Sequence, residues 1–352
     1  VFVALRDIRF AKGRFALMGA VVALITTLVV FLYGLTGGLS RASSSAVSHL
    51  PADLIVFAGP GSAAPPVSFS GSTVAPGQAA AWASMPGVTR AEPLGVAMTR
   101  IASAGESGSV SVFGGPAGLL PALRSGAAPH DGQVVLSEQA ADTCHARVGA
   151  IVSLGAQRLT VSGIGQDLSY AHAPAVWTTT ATWEQVSGQR QPTVLAVDGH
   201  PTGTPVPGTR AVGRAAALAG IDGYGAEQGS LRLIQAFLFA VSALVTGAFF
   251  TVWTVQRGPD VAVLKAVGAG TGYLVRDALG QALAVLAAGA LAGGAVGAAG
   301  GALASSAVPF AVGAGTVAVP VAVMVVLGLS GSALAVRRIT AVDPLTALGA
   351  AR

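Results

Sequence analysis

The chain has two lysines, and neither stands where a nucleotide needs one. A phosphate-cradling loop requires lysine directly after glycine, whereas Lys12 follows Ala11 and Lys265 follows Leu264. The lone thiol, Cys144, can form no internal disulfide, and the five histidines (His49, His130, His145, His172, His200) are scattered outside the long apolar runs. No HExxH or GxSxG pattern is present. Arg232, Arg276 and Asp277 stand near the ends of apolar runs, where charged side chains snorkel or pair, so no proton relay crosses a span. These residues argue against an ATPase, a membrane protease, a metalloenzyme and a proton-driven carrier. What remains is binding chemistry: Tyr224 and Glu227 lie three apart just before an apolar run and would share one face of a helix.

The other informative stretch is Gln256–Gly272, a short polar interruption between two apolar runs. Gly258 breaks the preceding helix, Pro259 suits a first helical position, Asp260 complements the positive helix start and Gly268 can end it. Val261, Leu264 and Val267 then fall on one face, flanked by Arg257 and Lys265. A helix of about nine residues is too short to be stable alone. Its apolar face therefore needs a partner.

The elements that must position these residues follow from composition. With 352 residues, 10% charged, 52% hydrophobic and 48 glycines, the chain fits a membrane protein rather than a soluble enzyme. A span requires roughly 20 apolar residues. We expect four transmembrane helices, at residues 15–37, 231–255, 273–303 and 317–336, the last two separated by the external turn 304–316. Residues 1–14 carry Phe2, Leu5 and Ile8 at helical spacing, which predicts an amphipathic interfacial elbow. The first apolar run exceeds the 7–15 residues usual for the apolar part of a secretory signal, so it is read as a span.

Basic residues set the orientation. The segments beside the spans, including the polar segment 256–272 and the tail 337–352, carry 10 basic against 4 acidic groups, while 38–230 balances 9 against 11. Both termini are expected in the cytoplasm of a multi-pass plasma-membrane protein, with 38–230 outside. Strand candidates at 95–101, 109–113, 133–136, 150–154, 158–163 and 192–198, with helical composition at 78–85 and 209–224, predict an extracellular α+β domain between helices 1 and 2. Gly289, Gly293, Gly297 and Gly301 fall four apart in the third span and predict close helix packing, within the subunit or at a dimer seam. Asp343-Pro344-Leu345 reads as the start of a short cytosolic helix.

Arg257, Asp260, Leu264, Lys265, Ala266, Gly268 and Ala269 resemble the coupling segment of MacB/FtsX-type ABC transporter permeases, with Asp260 where that family usually has Glu. The run DGQVVLSEQAAD, VGAIVSLGAQRLTVSGIGQD, SYAHAPAVWTT is similar to the external domain of the same family, with a look of its haem-exporting HrtB subgroup. The resemblance implies a permease without its own ATPase site or intrinsic cofactor. It would work as a homodimer with two copies of an ABC ATPase subunit that binds ATP and Mg, in contact with membrane lipid and not with nucleic acid. The coupling residues would be Arg257, Asp260, Val261, Leu264, Lys265 and Val267. It further implies haem as substrate, and groups able to meet its iron or propionates are Tyr170, Tyr224, Glu227, His49, His172 and Arg232. Met18 and Met324 lie on apolar helices and are read as packing residues. The same layout would also serve an FtsX-like transmitter that controls an extracellular partner without transport. An apolar cavity between spans favours the exporter, and an apolar external patch the transmitter.

The topology is checked by single cysteines in a Cys144→Ser background. One at Ser62 is expected to react with an impermeant thiol reagent on whole cells and one at Thr271 to stay unlabelled, and labelling at Thr271 overturns the orientation.

Overall fold

The structure is a computed structural model that describes residues 12–103, 105–256, 263, 267–305, 308–311 and 313–340. Residues 1–11 of the elbow, most of the coupling segment and residues 341–352 of the tail lie outside the described residues. The chain divides into two units, 1–38 with 230–352, and the inserted domain 39–229.

In chain order, α1 (Lys12–Ser48) leads into the inserted domain, which runs β1 (Leu54–Ala58), α2 (Pro76–Ala83), β2 (Val88–Ser103), β3 (Glu106–Gly114) and β4 (Leu123–Gly126). It continues with β5 (Gln133–Ser137), α3 (Glu138–Thr143), β6 (Ile151–Leu154), β7 (Gln157–Gly165), β8 (Ser169–Tyr170) and β9 (Ala173–Thr178). Then come α4 (Thr180–Ser187), β10 (Val194–Gly199), β11 (Thr209–Gly213) and α5 (Arg214–Ala217). Three long helices follow: α6 (Tyr224–Gln256), α7 (Thr271–Ala304) and α8 (Ala314–Thr340).

The strands form one mixed sheet in the order β11-β1-β10-β2-β3-β9-β5-β7-β4, with β6 pairing β2 and β7. Its organiser is β2, sixteen residues long. The first half of β2 pairs with β10 and the second half, from Gly95, with β3, so one strand ties two cores together. On β1, Ile55 and Phe57 face the larger core, while Val56 and Ala58 join Trp82 of α2 in a second. That is why LIVFA reads as a continuous apolar run: both faces are covered. Trp183 of α4 is fully buried over Gly95 and Gly114, which are register partners, and a Cβ on either would run into its indole. Thr179 caps α4 by accepting from Thr182 N–H at 3.2 Å, and Gly188 ends it at φ +71°.

Two expectations need correction. The helix of the first span does not end at 37 but continues through the serine-rich segment to Ser48. The segment's hydroxyls turn back onto the helix, Ser44 Oγ donating to Ser40 O at 2.7 Å, while Ala46 and Val47 pack into the larger core. Residues 209–224 are not one helix, because 209–213 pair with β1 as an edge strand and α5 is only four residues long.

In the other unit, α1, α6, α7 and α8 are each long and apolar enough to cross a membrane. The glycine series of α7 packs inside the subunit. Gly289, Gly293 and Gly297 lie against the carbonyls of Gly19, Ala23 and Thr27 on α1, and both series step by four. Thr27 Oγ1 donates to Ala23 O at 2.8 Å and across the seam to Gly293 O at 3.0 Å. In lipid, where apolar burial supplies no drive between helices, such close contact and hydrogen bonding hold them together. The fourth glycine, Gly301, seats the Phe310 ring together with Gly34. On the other side, α6 and α8 approach at Gly247 and Gly331.

Gly293→Leu is expected to destabilise the detergent-solubilised protein by at least the 1–3 kcal/mol typical of overpacking, about enough to lower its melting temperature by several degrees. Gly300→Leu, at a position with open space around it, is expected to leave the melting curve unchanged.

Candidate functional site

Three of the sequence-selected groups meet at the β8–β9 hairpin in the inserted domain. Its two central residues, Ala171 and His172, have φ of +48° and +63°. A left-handed conformation costs a non-glycine residue on the order of 1–2 kcal/mol. The conformation is held because the hairpin docks on α1: Ala171 N–H donates to Ser43 O at 2.9 Å and His172 N–H to Ala42 O at 3.1 Å. Beside them Ser169 N–H donates to Ser45 Oγ at 2.8 Å, and Ser45 Oγ donates to Ser169 O at 3.2 Å. Two arginines hold the chain as it leaves α1: Arg214 donates to Leu50 O at 2.9 Å and Arg90 to Pro51 O at 2.8 Å. Arg90 is itself fixed by Asp198 at 2.5 Å and Glu92 at 3.4 Å.

The start of α6 meets the same hairpin more lightly. Gly223, at φ +78°, turns the chain into the helix. Tyr224, half-buried, places its hydroxyl 3.5 Å from Ser40 Oγ, and one turn on Glu227 Oε2 pairs with His172 Nε2 at 3.1 Å. With its side chains 46% and 26% exposed, that pair belongs to the class worth about 0–1 kcal/mol. The structure therefore brings together His172, Tyr224 and Glu227, an imidazole, a phenol and a carboxylate at one corner.

The remaining candidates stand elsewhere. Tyr170 is a core residue, 6% exposed, packed edge-on against Phe69 and Phe113 at 5.6 and 5.7 Å between ring centroids. Burial, aided by the charge of Asp222, pushes its phenol well above the usual tyrosine range, so a phenolate ligand is disfavoured there. This corrects its selection as an iron-facing group. His49 is exposed just past α1, with Nδ1 2.9 Å from Ser45 O. Arg232 is an exposed side chain on α6 in the membrane unit. Of the coupling residues, Arg257, Asp260, Val261, Leu264 and Lys265 lie outside the described residues. Val267 is described: it is exposed and donates its N–H to Val263 O at 3.1 Å, ahead of Gly268 at φ +100°.

Sequence reasoning missed a groove in the membrane unit. A cavity of about 540 Å³ opens between α1 and α6, lined by Leu17, Met18, Val245, Phe249, Val252 and Trp253 with Gln256 at one end. Trp253 is braced by Phe15 and Phe250, each with ring centroids at 6.1 Å. The only advance signal was the aromatic density of FFTVW at the end of an apolar run. Met18 and Met324 are buried, as packing residues should be, and Met18 also lines the groove. Asp277 meets Gln281 on α7 at 2.9 Å, which gives the span-end carboxylate a partner.

Four long apolar helices with a mixed α+β domain between the first two define a membrane permease layout. Residues 15–203 match the MacB-like periplasmic core domain and residues 232–344 the FtsX-like permease C-terminal domain. The chain belongs to the MacB/FtsX-type ABC transporter permeases. It is 29% identical over 359 residues to an uncharacterised ABC transporter permease of Mycobacterium bovis, covering 99% of both chains. It is 25% identical over 353 residues, 98% of each chain, to a putative hemin transport system permease protein HrtB of Staphylococcus haemolyticus. The periplasmic region of MacB from Actinobacillus actinomycetemcomitans aligns over 49% of this chain and 94% of that one, at 13% identity and a TM-score of 0.36.

The Tyr170 phenol makes a pH prediction. Its proton is held more tightly in the folded than in the unfolded chain. The associated stability is thus fully present below the ordinary tyrosine value of 10.0 and is lost as pH rises past it. Tyr170→Phe is expected to flatten the fall in melting temperature above about pH 10, compared with the unaltered protein.

Proposed function

We propose that the chain is the permease of an ABC exporter that expels a lipophilic molecule from the membrane, with haem as its substrate. The observation that carries this reading is the aromatic-lined groove between α1 and α6. Its volume falls in the 300–1,000 Å³ range typical of small-molecule sites, and its lining suits a flat apolar body. A transmitter that only bends an extracellular partner has no use for such a cavity. Relatives named as hemin permeases, at 22–25% identity, support haem among the lipophiles.

In this reading a separate ABC ATPase, two copies on a permease homodimer, binds ATP and Mg and drives the cycle through Val261, Leu264 and Val267. Both termini face the cytoplasm with it. His172, Tyr224 and Glu227 offer iron or propionate contacts on the outer side, with His49 and Arg232 as further polar groups. Tyr170 supports the hairpin from behind.

The test is ATP-dependent haem efflux from vesicles holding the permease and its ATPase. Trp253→Ala and the triple variant His172→Gln, Tyr224→Phe, Glu227→Gln are each expected to cut efflux at least about tenfold, a loss of roughly 1.4 kcal/mol in binding or turnover. ATPase binding is expected to remain. Leu264→Asp, which puts a charge on the coupling face, is expected to abolish ATPase binding itself. An unaltered complex that hydrolyses ATP, neither binds nor moves haem, and leaves other lipophiles in place would replace this reading with the signal transmitter.

A further inference from the structure

We propose that α1 and α6 are attached to the inserted domain in two different ways: α1 by a permanent joint, and α6 by a releasable tie made by His172 and Glu227. The inference rests on the exporter reading only for the source of drive, ATP. Along α1, Ser43, Ser44, Ser45, Ala46 and Val47 are all buried. The carbonyls of Ala42, Ser43, Leu50 and Pro51 each accept a bond from the domain, and Ser45 exchanges two bonds with Ser169. Opening that joint would strand several buried polar groups at once, so it stays closed.

The seat of α6 is different in kind. Its polar ties are one half-exposed ion pair to the hairpin and one long hydroxyl contact to Ser40 on α1. Gly223, Gly225 and Gly229 bracket this first stretch with open space where a side chain would stand, and Gly223 already adopts a left-handed conformation. Gln228 buries its amide nitrogen without a hydrogen-bond partner, an arrangement that disfavours the closed seat. A weak tie, flexible glycines around it and an unsatisfied buried donor together describe a contact built to open. The hairpin, strained at Ala171 and His172 and bolted to α1, is the fixed side of the latch. When His172 and Glu227 part, α6 turns about Gly223 while α1 carries the domain with it.

The test uses the full-length permease with its ATPase in membranes, in a Cys144→Ala background. His172→Cys with Glu227→Cys is linked by a short reducible bis-thiosulfonate, since the native side chains span a longer gap than a disulfide bridges. Linking yield is expected to fall several-fold when ATP is added, and linked protein is expected to lose ATP hydrolysis until reductant is supplied. Ala42→Cys with Ala171→Cys, joining the same hairpin to α1, is expected to link equally with and without ATP and to leave hydrolysis intact. A yield at 172 and 227 that ignores ATP, or inhibition by the 42 and 171 link, overturns the proposal. Because neither readout needs substrate, haem efflux can fail while the latch stands.

Discussion

A helix satisfies its backbone hydrogen bonds within itself, and for that reason it can pass from lipid into a water-facing domain without rearrangement. α1 does this over 37 residues, about 55 Å at 1.5 Å per residue, well beyond the roughly 30 Å of a hydrocarbon core. Its two ends are built from different material. The apolar first part presents backbone to the glycines of α7, and the serine-rich last part presents hydroxyls and carbonyls to the inserted domain. Everything described at the candidate site hangs on that continuity. A break near Gly38 would detach the hairpin's docking surface from the span that holds it.

Each contact along α1 follows the solvent it sits in. In lipid, the seam with α7 relies on shape: Gly289, Gly293 and Gly297 let backbones meet, and Thr27 adds a hydrogen bond to a carbonyl. In the inserted domain, Ala46, Val47 and Leu50 bury apolar surface in the larger core while Ser45 and the two arginine contacts satisfy the polar remainder. The less covered partner, α6, has exposed Leu233, Ile234, Phe237, Val241 and Leu244 along its length. A helix with so little packing inside its own subunit is free to change neighbours, whether lipid, substrate or another copy of the chain.

Much of this was legible in the sequence because hydropathy and glycine spacing act locally. The four spans, the inserted α+β domain and the seam of small residues each announce themselves in composition or period. The extension of α1 to Ser48 did not, because SRASSSAVS has turn composition, and its polar groups find their partners in Ser169, Ala171 and His172, far off in sequence. Strand β11 was misread for the same reason: TRAVG has no preference strong enough to outweigh its pairing with β1. Among the chosen side chains, Tyr224 and Glu227 share a helix face as their spacing of three requires. Tyr170 was selected by residue type, and type says nothing of burial. Its ring belongs to an aromatic cluster assembled from distant strands, which no local pattern reveals.

The groove and the latch place two demands on the same helix. Near its carboxy-terminal end α6 supplies Phe249, Val252 and Trp253 to the groove, and at its amino-terminal end Glu227 to the tie. A ligand that fills the groove stabilises whichever position of α6 leaves room for it, and it can shift that equilibrium only by its difference in affinity between the two positions. The weak ion pair at Glu227 fits that constraint. Were the tie as strong as the joint on α1, the differential affinity of one small lipophile would be too small to move it.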